Sequence, residues 1–453
     1  MARVSHFIMT TACCIGLAAL SIAHPATAQD SMREANVDDL ICPAASISTP
    51  APKTPSTHPA GSVSMVGSQM PSDEELGSLA KLVIRDQPLL DPQVIPGFAF
   101  GTQTLPRRFA VWGDSHIAAG PFMPTLMDAL RARGLTVAPH FLPPTMGRAN
   151  VKLTGLRAYC IGSGWSTEIA YTSTNTIDSG PALANRIADA GSESYLWLDV
   201  RNTERQADVR KLGLVYRAPA GATISYILND GRPSSISLAP SNDSQTVFLQ
   251  SDQLISTIKL RITQGKLALY GVTLDYAQPP TISFDVFGIP SATVRGWANI
   301  DPSYLAQMLR GTNYDGVVLE YGTNEGAASD FDADKYAAML TQALTHVRQV
   351  FPSSSCLLVG PPDRGVLRAG KEPRLSLLNY SRIHQQIEGI QRQVGQRFGC
   401  VAWDWQGLMG GPGGSYGWAH AMPSLMGRDL IHLSPDGYRR TGQGLAHSLG
   451  WGP

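Results

Sequence analysis

Short apolar runs followed by apolar residues at four-residue steps occur toward both ends of this 453-residue chain, an alternation that restricts it to layered strand and helix architectures. Phe109-Ala110-Val111-Trp112 is the first such run, and Phe122, Leu126 and Leu130 then mark one helical face, with Gly134 as a stop. The pattern resumes at Val317-Val318-Leu319, whose helix carries Tyr336, Leu340, Leu344 and Val347 and stops at Pro352. Leu357-Leu358-Val359 precedes a helix with Ile383, Ile387, Ile390 and Val394 on one face. Val401-Ala402-Trp403 precedes a last helix opened by Ser434 as cap and Pro435 as first residue. Strands and helices alternating in this way predict a parallel sheet covered on both faces.

Between the two halves the period changes. Tyr195 to Val200, Leu212 to Arg217, Ala222 to Leu228 and Thr257 to Ile262 alternate with period two, and Asp230-Gly231 and Gln264-Gly265 supply turns. This predicts an antiparallel β module over 152–278, a sandwich or jelly roll, inserted into an α/β domain formed by 76–151 and 279–453. No repeat at solenoid spacing is present.

Ahead of these lie two segments of other character. Residues 1–28 read as an export signal: Arg3, an apolar stretch from Phe7 through Ile22, then Ala26-Thr27-Ala28 before Gln29. The expected destination is the periplasm or the exterior. Residues 29–75 form a Pro/Ser-rich lead segment with little periodicity. No later apolar stretch approaches the ~20 residues of a membrane-spanning helix. Lys plus Arg and Asp plus Glu balance at 36 each with no long basic run, so the chain has no electrostatic footprint for nucleic acid.

Removal of the signal leaves Cys42, Cys160, Cys356 and Cys400, an even number in a compartment that permits disulfides. Cys356 and Cys400 each stand just before a strand-like run, and neighbouring parallel strands bring such starts together. The favoured pairing is therefore Cys356 with Cys400, which leaves Cys42 with Cys160.

The chemistry concentrates in three segments: Gly113-Asp114-Ser115-His116 after the first apolar run, Gly322-Thr323-Asn324-Glu325 after the second, and Asp429-Leu430-Ile431-His432 before the final helix. A serine hydroxyl needs a base to take its proton, and the tetrahedral oxyanion it generates needs donors already in place. Loops at the carboxyl ends of parallel strands converge on one crevice, which is where Ser115 and Asn324 are expected. His432, two residues before a helix cap, reaches Ser115 from a loop, and Asp429 holds its ring. Neither H-E-x-x-H nor a Cys/His cluster of metal-binding spacing occurs, and the chemistry as read requires neither metal nor cofactor.

With these blocks the chain resembles the SGNH (GDS-type) hydrolases, and its Gly-Asp-Ser-His, Gly-Thr-Asn-Glu and His432-Leu-Ser-Pro-Asp-Gly-Tyr-Arg-Arg strings, with a β insert between the first two blocks, look like the branch containing bacterial peptidoglycan O-acetylesterases. The resemblance implies a flavodoxin-like three-layer parallel sheet with a carbohydrate-binding-like module. It implies Ser115 as nucleophile, His432 and Asp429 as the other triad members, and oxyanion donors at the Ser115 N–H, the Gly288 N–H and the Asn324 side chain. It also implies an O-acetylated glycan as substrate, peptidoglycan acetylated on muramic acid, while an exopolysaccharide is equally compatible with the residues.

An O-acetyltransferase using the same triad and a non-catalytic glycan-binding protein are the competing readings. His116 is expected to pack or hydrogen-bond locally, and Glu325 to brace the Asn324 loop. Trp403 is expected in the core, with Trp405 or Trp418 as candidates for stacking on a sugar in the cleft.

Overall fold

The computed structural model describes residues 95, 97–100, 105–328, 330–366 and 377–452. The export signal, the lead segment and Cys42 lie outside the described residues.

Six strands form a parallel sheet: β1 (Arg107–Gly113), β2 (Val137–Ala138), β3 (Ile282–Gly288), β4 (Gly316–Glu320), β5 (Ser355–Val359) and β6 (Cys400–Trp403). Their spatial order is β6-β5-β4-β1-β3-β2, with every neighbouring pair parallel. Without the two-residue edge β2, the longer five stand in the order second, first, third, fourth, fifth, as in flavodoxin-like sheets. The order reverses between β1 and β4, and there the loops carrying Ser115 and Asn324 leave the sheet.

Successive residues of β1 face opposite ways, and each face meets its own core. Phe109 and Val111 pack with Phe122, Leu126 and Leu130 of α2 (Phe122–Ala132) and with Leu445 of the last helix (Pro435–Ser448). Ala110 and Trp112 pack with Leu340, Leu344 and Val347 of the helix Ala333–Val350 and with Ile387 and Val394 of the helix Asn379–Arg397. The four-residue steps read in the sequence are thus the buried faces of these helices. Truncating a fully buried aromatic such as Phe109 to alanine costs about 3–5 kcal/mol, transfer and cavity together. Ser434 caps the last helix, its hydroxyl accepting the Gly437 N–H at 3.2 Å.

Cys356 and Cys400 are directly paired in the register of β5 and β6 and form a disulfide. Cys160 is also disulfide-bonded.

Antiparallel strands fill the interval between β2 and β3. The long strand Thr257–Tyr276 organises them: its first half pairs with Tyr195–Asp199 and Ala222–Leu228, its second half with Ala184–Asp189, Val209–Ala218 and Phe141–Leu142. Leu196, Leu198, Leu214, Ile224, Leu260 and Val272 belong to the core they share. The antiparallel pairing reaches back to Phe141, ahead of the boundary expected at 152. Buried Asp285 of β3 fastens the junction, accepting the His140 and Phe141 N–H groups at 2.7 and 2.8 Å and the Tyr314 hydroxyl at 2.7 Å.

Candidate active site

β1 ends at Gly113, and the chain turns at once into a one-turn helix, α1 (Ser115–Ala118). Asp114 caps that turn, its carboxylate accepting the His116 N–H at 2.8 Å, and the turn sets Ser115 at the carboxyl edge of the sheet. His432 arrives from the tight loop before the last helix. There the Gly427 N–H donates to the His432 carbonyl at 2.7 Å, and Leu430 takes a left-handed conformation at φ 54°. One Asp429 oxygen accepts the N–H groups of Ile431 and His432 at 3.0 and 2.9 Å, an Asx-type turn that fixes the loop.

The other Asp429 oxygen accepts the His432 Nδ1–H at 2.7 Å, and the ring's Nε2 lies 3.0 Å from the Ser115 hydroxyl, oriented to accept from it. Ser115, His432 and Asp429 are therefore one hydrogen-bonded chain, with the histidine tautomer set by the carboxylate. Burial tends to raise the Asp429 carboxyl. Hydrogen bonds from the His432 ring and the two backbone N–H groups outweigh it and hold the group well below the ordinary carboxylate range. The same ring–carboxylate bond pushes the His432 imidazole above its ordinary 6.5, against the effect of burial. Both side chains stay open to solvent, at 44 and 45 % exposure.

On the other side of Ser115 lies a group of acids. Asp114 is fully buried, and its second oxygen accepts the Asn324 amide at 3.0 Å. Glu320, the last residue of β4, is equally buried and accepts the Asp114 N–H at 3.1 Å. Burial raises Asp114 to about 6 in spite of the bonds it accepts, and burial together with the Asp114 charge pushes Glu320 well above its ordinary range. Both influences favour the protonated form of Glu320 beside Asp114. Glu325 accepts the Val294 N–H at 2.8 Å and the Gly322 N–H at 3.0 Å, tying the Asn324 loop to the segment after β3; burial raises it to about 7. Gly322 turns this loop at φ +129°, where a Cβ would lie 2.8 Å from Pro361.

Of the expected oxyanion donors, Asn324 is anchored next to the nucleophile: its amide donates to Asp114 and, at 2.9 Å, to the Ala292 carbonyl, so both its N–H groups have acceptors. Gly288 stands level with Gly113 in the sheet. A Cβ there would lie 2.3 Å from the Ala118 nitrogen, so the glycine lets α1 press against the end of β3. The Ser115 N–H opens α1, where no intrahelical acceptor exists.

His116 is buried, with Nδ1 2.9 Å from the Tyr438 hydroxyl and its ring against Trp405 and His432. Burial keeps its imidazole neutral. Trp405, a candidate for sugar stacking, is fully buried against His116 and Phe122, its indole N–H donating to Thr441 at 3.0 Å; Trp418 is 7 % exposed. Neither offers a face to a ligand. A tryptophan near a catalytic loop here serves the core, as does Trp403.

The sequence reading did not single out Glu320, Tyr438 or His384. Glu320 was detectable in principle, as an acid continuing the buried run Val317-Val318-Leu319. His384 is a fully buried helix residue with Nδ1 2.6 Å from the Pro362 carbonyl, and burial lowers its imidazole to about 4. Among the described residues no group of acids, histidines and cysteines is arranged to hold a metal ion, and no helix is long and apolar enough to cross a membrane.

The family model of the GDSL-like lipases/acylhydrolases matches residues 268–440, a span that holds Gly288, Asn324, Asp429 and His432 and lies beyond Ser115 across the inserted strands. Residues 268–440, less than half of the chain, are thus similar to the GDSL-like lipases/acylhydrolases. The structure titled "Peptidoglycan O-acetylesterase in action, 5 min" is similar to this chain with a TM-score of 0.60 at 20 % identity, over 81 % of this chain and 98 % of that one. The shared fold therefore extends well past the residues that the family model matches. A family two carbohydrate esterase from Cellvibrio japonicus is 11 % identical over 63 % of this chain and 99 % of its own, with a TM-score of 0.27. No curated protein matches the chain.

Proposed function

We propose that the GDSL-like domain is a serine esterase that removes O-acetyl groups from a bacterial glycan outside the cytoplasm, with peptidoglycan acetylated on muramic acid as the foremost substrate. The observation that carries this reading is the chain from Asp429 through His432 to the Ser115 hydroxyl, at 2.7 and 3.0 Å, with the imidazole 44 % exposed. A base open to solvent suits an ester displayed on a polymer. The export signal read over 1–28 and the likeness of fold to a peptidoglycan O-acetylesterase support the location and the substrate class. We read the inserted antiparallel strands as a sandwich-like carbohydrate-binding module.

In the reaction His432 Nε2 takes the Ser115 proton as Oγ bonds to the acetyl carbonyl carbon. The resulting oxyanion is held by the Ser115 N–H, the Gly288 N–H and the Asn324 amide, the last by sharing an N–H that it otherwise gives to Ala292. The tetrahedral centre collapses, the sugar oxygen leaves with the proton from His432, and the acetyl group stays on Ser115. Water, deprotonated by His432, then attacks the acyl-enzyme, releases acetate and restores the serine.

Acetate release from O-acetylated peptidoglycan, compared with an acetylated exopolysaccharide and repeated with an added deacetylated glycan acceptor, tests the assignment. Free acetate from peptidoglycan is the expected product. Acetyl carried mainly to the acceptor would make the protein a transferase. No turnover of these glycans or of nitrophenyl acetate would reduce it to a binding protein.

A further inference from the structure

Far from Ser115, at the amino ends of the parallel strands, a cleft of about 460 Å³ opens between the inserted strands and the α/β domain. Its size is that of a small-molecule site. One wall is the antiparallel pair Val209–Ala218 and Ser241–Ile255, which contributes Lys211, Thr246 and Phe248. The other wall contributes Arg108 of β1, Tyr314 and, just past the helix Pro302–Met308, Arg310. Five residue steps of β1 separate Arg108 from Gly113, about 16 Å at ~3.3 Å per residue, so a group held here is not the group held at Ser115.

The charges in the cleft do not cancel. Three cations, Arg108, Lys211 and Arg310, line it against one carboxylate, Asp275. Asp275 is already shared between Lys211 at 3.7 Å and Arg210 at 3.6 Å. Asp315 lies nearby but turns its carboxylate to the Arg108 backbone N–H, at 2.7 Å, and toward Arg107. His140, which also lines the cleft, stays neutral through burial. Among the described residues no carboxylate pairs with the Arg108 or Arg310 guanidinium. Phe248 adds a further feature: the residue is 54 % exposed, with the Lys211 ammonium 4.4 Å from the ring centroid. An apolar ring beside unpaired guanidinium groups is suited to a ligand that combines a flat hydrocarbon face with an anion, and guanidinium favours planar oxyanions such as carboxylate.

We propose that this cleft is a second glycan site that binds a carboxylate-bearing sugar, with Arg108 and Arg310 on the carboxylate and Phe248 against the ring, and so tethers the enzyme to an acidic polymer. The choice of a sugar as carrier rests on the proposed esterase function; the binding of a carboxylate does not. Two sources share the chemistry, the lactyl ether of muramic acid and the carboxylate of a uronic acid.

Calorimetric titration of the full chain carrying Ser115→Ala separates them, with N-acetylglucosaminyl-N-acetylmuramic acid, an oligogalacturonate and a neutral chitin oligosaccharide as probes. At least one carboxylated probe is expected to bind, the neutral one about tenfold or more weaker, with Arg108→Ala/Arg310→Ala costing about tenfold or more and added salt weakening binding. Phe248→Ala, at an exposed position, gives a second test without a change of charge and is also expected to weaken binding. With Ser115 intact, the double variant should hydrolyse nitrophenyl acetate like the parent, which reports correct folding, while its KM for an acidic acetylated polymer rises. Failure of both carboxylated probes to bind, equal binding of neutral and carboxylated probes, or undiminished binding by the folded double variant would overturn the proposal. Loss of esterase activity in the parent alone would instead count against the proposed function.

Discussion

Asp429 and Asp114 both stand beside the reacting groups, yet their surroundings drive them in opposite directions. Asp429 is half exposed on a loop whose backbone N–H groups and histidine ring all point at it, and it stays ionised far below its ordinary range. Asp114 is fully buried, so its carboxyl rises to about 6 even with the His116 N–H and the Asn324 amide donating to it. Donated hydrogen bonds therefore do not by themselves decide a carboxyl's charge: access to solvent decides which side of the balance wins. In the proposed reaction the first carboxylate supports proton transfer. The second, with its neutral partner, holds the nucleophile turn and the Asn324 side chain in place.

The largest effects should come from the ionised side. His432→Ala should lower kcat by about ten-thousand-fold or more, as removal of a triad base does elsewhere. Asp429→Asn should cost a similar factor, and it carries a further signature. Because His432 must be neutral to accept the serine proton, kcat/KM should rise with pH through a group titrating above 6.5. Without the Asp429 carboxylate that limb should move to lower pH. An unmoved limb in Asp429→Asn would mean that another group raises the imidazole.

At the boundary of the two sets stands Asn324, and Asn324→Ala should lower kcat by roughly 10²–10³ with a smaller change in KM, the loss expected of one oxyanion donor. A change in KM alone would make it a binding residue. The buried side should respond least in rate. Glu320→Gln keeps the shape and the neutral charge of the protonated acid, so kcat should fall by less than about tenfold.

The effect of the buried acids should emerge in stability. Asp114 is raised from 3.8 to about 6 and Glu325 from 4.5 to about 7, so between about pH 4 and 7 these two carboxyls hold more protons in the folded state than in the unfolded chain, while the buried His116, His140 and His384 hold fewer. The stability contributed by these two acids should therefore fall as pH rises through that window, and denaturant unfolding at several pH values, compared between the parent and Glu320→Gln, would measure it. Glu320→Gln removes the neighbouring acid and should flatten the slope; an unchanged or steeper slope would mean that Glu320 does not take part in holding the protons.

The contrast between the two carboxylates also explains what could be read from the sequence. The meeting of Ser115, His432 and Asp429 was legible because Asp429 and His432 lie three residues apart on one loop, and because a serine that follows an apolar strand must emerge at the sheet's carboxyl edge. The Cys356–Cys400 pair was legible for a similar reason, since both residues start strands that became neighbours. With the bond closing a sequence separation of 44 residues, chain entropy alone assigns it about 4 kcal/mol of stability.

Glu320 was hidden because its partner lies 206 positions away and only the pairing of β1 with β4 unites them. Trp405 and Trp418 misled because proximity in sequence to a catalytic loop says nothing of which way an indole turns. The polar strand Ser241–Ile255 showed little apolar alternation, and it became a strand through its pairing with Val209–Ala218.

The most direct measurement is peptide mapping of the enzyme quenched during turnover of an O-acetylated glycan, with acetate release followed in parallel for Ser115→Ala. A single acetyl group on the peptide containing Ser115, together with the loss of acetate release in the variant, is the predicted result. Acetate released undiminished by Ser115→Ala, or an acetyl group carried on a different residue, would contradict it.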